Sequence, residues 1–215
     1  MTPLTRSFAL SIICIVLSLP LYPQENDAAA VPEKKKSRFS IAFGAAAGNF
    51  ALDAQNFNTV YSNRSISRIY FAGIGTNTVG FIAKYRQFYA FGRSVVENIE
   101  VEGKADWRQK FYAGGLRMRG DDQPIYADIL YVVTQAEETI TTSGEPAVER
   151  LTTRYTTENK GVGFAVGVSI KLIGPIGIFV EGEYSVMTRK GRNPEGRVNP
   201  ELGGFCASAG AQFVL

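Results

Sequence analysis

The side chains able to do chemistry in this chain are few, and the commonest one is missing, since the 215 residues contain no His. Acid/base catalysis near neutral pH, and the base of a nucleophile triad, most often fall to that residue. Glu181 and Glu183 stand two apart, which in a strand puts both carboxylates on one face, where an acid and a base could work together. The same spacing suits inward carboxylates paired with Lys84, Arg86 or Lys171, and with Asp128 these six residues are expected to form a polar network inside the fold. Cys206 faces the same interior and, with no His to serve as its base, is expected to be a small residue that fits the lumen. Asp121 and Asp122 follow Gly120 without the spacing of an EF-hand and read as a turn. Gly161, Gly163 and Gly167 lie within a strand pattern that no helix follows, so they are not a dinucleotide fingerprint. The expectation is a non-enzymatic chain with no catalytic residue, no cofactor and no metal.

What positions these residues is a run of strands. From residue 39 onward side chains alternate strictly, which sends neighbours to opposite faces of a strand. Phe39, Ile41, Phe43, Ala45 and Ala47 alternate with Ser40, Ala42, Gly44, Ala46 and Gly48. Val162, Phe164, Val166, Val168, Ile170 and Leu172 alternate with Gly161, Gly163, Ala165, Gly167, Ser169 and Lys171. Phe205, Ala207, Ala209, Ala211, Phe213 and Leu215 repeat the pattern against Gly204, Cys206, Ser208, Gly210 and Gln212. A soluble sandwich would set large residues in its core and Lys, Glu and Thr on its surface. Here the second face is mostly Gly, Ala and Ser, which fits a narrow lumen, while the bulky face meets lipid.

Composition agrees with an all-β chain. It is 45% hydrophobic and 20% charged, with 22 Gly, 14 Phe and 10 Tyr, which favours strands and tight turns over a bundle of membrane helices. The net charge of +3 is too small to point to nucleic acid. At the N-terminus, Arg6 precedes an apolar run from Phe8 to Leu19, followed by Pro20, Pro23 and polar residues. That order marks residues 1–24 as a secretory signal peptide, too short for the roughly 20 apolar residues of a spanning helix. Cleavage is expected near Gln24 or within residues 28–30. Residues 25–38 have almost no apolar surface and read as a flexible leader, whose Lys34 to Lys36 either are simply solvated or touch acidic lipid. With Cys14 removed, only Cys206 remains, so no internal disulfide is expected.

Eight strands are expected, at residues 39–50, 67–76, 78–91, 107–118, 125–137, 160–172, 176–187 and 203–215, the second and fourth of undecided facing. Short turns rich in Gly, Pro, Asn and Asp at 76–78, 120–124 and 173–175 alternate with longer polar connections at 51–66, 92–106, 138–159 and 188–202. Together they predict an all-β, eight-stranded antiparallel up-and-down transmembrane β-barrel over 39–215, with short periplasmic turns and longer extracellular loops. Closure is required, because each unpaired backbone group in hydrocarbon costs several kcal/mol. Tyr70, Tyr89, Phe91, Trp107, Tyr112, Tyr131 and Tyr184 are expected in the interfacial aromatic girdles.

In this layout the mature region resembles the small outer-membrane barrels of the OmpX/OmpA/OmpW type. Ser208, Gly210, Phe213 and Leu215 resemble the family's terminal assembly signal, with Leu215 in place of the usual final aromatic residue. The resemblance implies the bacterial cell outer membrane as location, outer-membrane lipid as surroundings and the barrel assembly machinery as partner. Enzymes built on such barrels resemble one another in relying on a catalytic His, which this chain lacks. Function then falls to the outer loops. The third is acidic, with Glu137, Glu138, Glu145, Glu149 and Glu158, and the fourth is basic, with Arg189, Lys190, Arg192 and Arg197. The basic loop is a candidate surface-binding element for anionic lipid or a polyanion, its ligand unknown. Three functional classes stand open: a structural or surface-interaction barrel, a narrow channel for small or hydrophobic solutes, and a soluble lipocalin-like binding barrel.

Overall fold

The computed structural model describes residues 39–52, 57, 61, 63–64, 66–96, 99–120, 123–142, 151–188 and 202–215. Residues 1–38, with the expected signal peptide and leader, lie outside that set, as do 121–122 and the basic residues Arg189, Lys190, Arg192 and Arg197.

Eight strands form the wall: β1 (Ser40–Leu52), β2 (Ser67–Gly75), β3 (Val79–Val96), β4 (Ile99–Arg119), β5 (Ile125–Thr142), β6 (Leu151–Ile173), β7 (Ile176–Thr188) and β8 (Gly204–Val214). Each pairs antiparallel with its neighbours in sequence. β1 pairs with β8 from Ala42↔Val214 to Leu52↔Gly204, which closes the sheet. Two further backbone bonds between Ile41 and Leu215, at 3.0 and 2.8 Å, carry that seam to the last residue. Closure leaves no strand edge in the barrel body, and this is what lets a sheet sit in hydrocarbon. A two-residue strand, Asn63–Arg64, adds to β3 opposite Phe91 and Ala90.

The large apolar side chains lie on the outside. Phe81 is 68% exposed, Phe164 53%, Val180 63% and Tyr131 56%, and the exposed apolar surface runs right around the wall. A belt of that size on a closed sheet is a lipid-facing surface. Inside, small residues make room for the large side chains paired with them on the neighbouring strand. The phenol ring of Tyr126 occupies the place a Cβ on Gly167 would take, and the ring of Phe71 does the same at Gly44. The turn from β6 to β7 needs a glycine for another reason, since Gly174 has a φ of 55°, the left-handed region.

Two polar stretches expected as loops are largely strand. β3 runs to Val96 and β4 begins at Ile99, with a register irregularity between Arg93 and Val95. β5 runs to Thr142 and pairs with Leu151 of β6. The physical reason is composition, because Thr139, Ile140, Thr141, Thr142, Thr152 and Thr153 are β-branched and favour extended backbone in water as well as in lipid. As a result β4 has 21 residues and β6 23, against 9 in β2 and 11 in β8. The sector β3 to β6 therefore runs on past the belt at the end opposite the short turns.

Candidate functional site in the barrel lumen

Inward positions of four strands converge on a cluster of charges. Lys84 and Arg86 come from β3, Arg117 from β4, Tyr126 and Asp128 from β5, and Glu181 and Glu183 from β7. Alternation fixes which residues point in, and register fixes which of them meet. Arg117 and Asp128 are direct cross-strand partners, counted back from the β4–β5 turn. The Arg117 guanidinium donates from Nε to Asp128 Oδ1 at 2.7 Å and from Nη2 to Oδ2 at 2.8 Å, a bidentate fork. Its Nη2 also lies 3.3 Å from Glu181 Oε2.

Lys84 reaches across the lumen. Its Nζ donates to Glu181 Oε1 at 2.7 Å and lies 2.8 Å from Asp128 Oδ2 and 3.5 Å from Glu183 Oε2. Arg86 donates from Nη1 to Glu183 Oε1 at 3.0 Å, and the Tyr126 hydroxyl donates to Glu181 Oε2 at 2.9 Å. The six ionised groups form three cations and three carboxylates, so the cluster is neutral as a set. All are buried, and burial of this kind is tolerable only with such pairing.

On the loop side of the charges lies a layer of rings. Phe50 contacts Phe111 with centroids 5.0 Å apart and Phe88 at 5.4 Å, and Phe57 contacts Trp107 at 5.5 Å. Arg86 joins the two layers, with its guanidinium carbon 3.8 Å from the Phe111 centroid and 4.5 Å from that of Phe50. The Tyr61 hydroxyl donates to Glu138 Oε1 at 2.6 Å, and Gln109 Nε2 donates to the Leu202 carbonyl at 2.9 Å. These bonds fasten residues between the strands to the inner wall.

Several contacts join strands that are not neighbours. Lys84 of β3 meets Glu181 of β7, which lies four strands away around the ring in either direction. Phe50 of β1 meets Phe111 of β4, and Phe71 of β2 meets Phe179 of β7 at 5.3 Å. Side chains from opposite walls therefore touch, and the lumen is filled by an ionic layer and an aromatic layer.

Of the six residues assigned from sequence to the interior network, Lys84, Arg86, Asp128, Glu181 and Glu183 are brought together. Lys171 is not. It is exposed at the turn end of β6, next to the bulge between Lys171 and Ile173, where the wall opens to solvent. Trp107 also departs from expectation. It faces the lumen at 5% exposure instead of joining a girdle, because it shares parity with Arg117 on β4. Sequence reasoning alone leaves the facing of β4 open and so misses Arg117, Phe111 and Gln109. The distance of Arg117 and Asp128 from their shared turn is the signal that could have found them.

Ser208 lies inward and buried, Gly210 packs against Ala45 and Ala46, and Phe213 stacks outside on Phe43 with centroids 5.9 Å apart. Leu215 is outward at the end of the closing strand. Cys206 is a free, buried thiol. Among the described residues no group of three or more His, Cys, Asp or Glu could hold a metal ion.

Solved structures share this architecture. Ail, the attachment invasion locus protein of Yersinia pestis, in complex with the heparin analogue sucrose octasulfate, is similar with a TM-score of 0.50 and 12% identity, over 83% of this chain and 99% of that one. A major outer membrane protein from Thermus thermophilus is similar with a TM-score of 0.51 and 7% identity, over 83% of this chain and all of the other. No family model matches the chain, and no curated protein matches it. The fold is that of the small outer-membrane β-barrels.

Proposed function

We propose that this chain is an integral outer-membrane β-barrel with a structural or surface-interaction role carried by its extracellular connections, neither a pore nor an enzyme. The observation that carries the reading is the filled lumen. Lys84 to Glu181 and Phe50 to Phe111 span the interior between walls that are not adjacent, so a solute would have to break buried ion pairs to pass. The belt of exposed apolar side chains supports a bilayer as its solvent and counts against a soluble lipocalin-like barrel. The fold shared with Ail and with the Thermus protein supports an outer-membrane location.

In this reading residues 1–24 are a cleaved signal peptide and 25–38 a periplasmic leader. Ser208, Gly210, Phe213 and Leu215 are the signal read by the barrel assembly machinery. Arg189, Lys190, Arg192 and Arg197 are the surface-binding element. A sulfated saccharide is the first ligand to try on them, because Ail, which shares the fold, has been solved with a heparin analogue.

Planar-bilayer recording of the purified mature protein tests the central point. The expected trace is electrically silent at moderate voltage. A steady open conductance would remove this reading and put the narrow channel in its place. Recovery in the outer-membrane fraction, with different gel mobility before and after boiling, is expected alongside.

A further inference from the structure

Charged side chains on the outer wall are not spread evenly at the loop end of the apolar belt. Register sets Arg68, Gln87, Lys110 and Gln135 side by side across β2, β3, β4 and β5. One row toward the belt, Tyr70, Tyr85 and Tyr112 stand in line, with centroids 6.4 Å apart for the first pair and 5.3 Å for the second. One row away from it, the Arg108 guanidinium lies over the Tyr89 ring, 5.6 Å from its centroid. Arg108 and Lys110 also border a cleft in the outer wall, together with Glu137, the cross-strand partner of Arg108, and Glu158, which lies 3.8 Å from Lys160. On the opposite wall the corresponding outward positions of β1, β7 and β8 are Asn49, Ala51, Tyr184, Val186, Thr188, Phe205 and Ala207, with no Arg or Lys among the described residues.

We propose that the sector from β2 to β4 binds the phosphorylated headgroup of a bilayer lipid in the leaflet at the loop end. Cations just outside a tyrosine row are placed at the depth of lipid phosphates, while the rings lie at the level of the glycerol or sugar and the first methylenes. Arg68 and Arg108 can each offer two parallel N–H donors to a phosphate, and Lys110 adds a point charge between them. Glu137 stands opposite Arg108 and Glu158 lies 3.8 Å from Lys160, so the carboxylates mark the β5–β6 limit of the site and the headgroup is held chiefly by Arg68 and Lys110. The occupant is a lipid and not a free anion, because the cations are continuous with an apolar surface that needs acyl chains against it. The inference rests on the membrane placement of the barrel and not on what the loops bind.

Native mass spectrometry of the full mature barrel, released from detergent and titrated with phosphatidic acid or phosphatidylcholine, tests it. The expected result is a clear preference for phosphatidic acid, lowered roughly tenfold in the triple variant Arg68→Gln, Arg108→Gln, Lys110→Gln and untouched in Lys171→Gln at the turn end. Heat-modifiable gel mobility checks that each variant has folded. Should the triple variant fail that check, Lys110→Gln alone is expected to weaken binding about threefold. Equal binding of the two lipids, an unchanged affinity in the folded variants, or full displacement by inorganic phosphate at equal concentration would each overturn the proposal. A wild-type protein without heat-modifiable mobility would defeat the barrel reading itself, and the lipid site with it.

Discussion

Asp128 is the residue whose loss the interior can least absorb. It takes both arms of the Arg117 fork and lies 2.8 Å from Lys84, so Asp128→Ala leaves two buried cations short of a partner. Breaking one side of a buried pair costs about 3–5 kcal/mol, and the expected outcome is a clearly lower urea midpoint for the folded barrel in detergent or lipid. Lys171→Ala, at an exposed position outside the cluster, is expected to stay within about 0.5 kcal/mol of the parent in the same assay. The inward facing of Lys84, Asp128, Glu181 and Glu183 is legible from alternation alone, because each sits opposite bulky outward neighbours. Arg117 is not legible, since either phase of its strand leaves one arginine or one large ring in an awkward place. Only the register that aligns it with Asp128 resolves the choice.

At the scale of the strand, β6 shows two environments along one element. Val162 to Leu172 alternate bulky outward side chains with Gly, Ala and Ser, the pattern of a strand crossing a bilayer, whereas Thr152, Thr153 and Thr156 lie beyond the belt. Val166→Lys puts a charge against lipid and is expected to cost about 2–4 kcal/mol, depending on depth. Thr156→Lys, on the same outer face but past the belt, is expected to change stability by less than about 0.5 kcal/mol. Equilibrium unfolding of the two variants beside the parent measures the difference. A similar cost for both would mean that the belt extends further than the apolar residues indicate. Sequence reasoning makes β6 too short because it reads polarity as the mark of a loop, while the β-branched Thr run obeys a local backbone preference that polarity does not cancel.

For the molecule as a whole, the belt and the projecting sector should differ in how often their backbone opens. Residues 162–168 pair with both β5 and β7 at the level of the apolar belt, while 151–159 pair with β5 alone, past it. Hydrogen exchange in lipid nanodiscs is expected to be about a hundredfold slower in the first set, and equal rates would argue that the projecting strands are locked by something further. The sequence by itself determined the barrel: the parity of every strand but β2 and β4, the turn residues and the closing strand all follow from local rules, since a strand has two faces and a tight turn accepts few residues. What only the tertiary structure decided is what fills the barrel. Lys84 and Glu181 are 97 residues apart in the chain, and Phe50 meets Phe111 across three strand steps, so their contacts depend on the curvature and register of a closed wall. No local pattern carries that information, because it comes into being when β1 and β8 join.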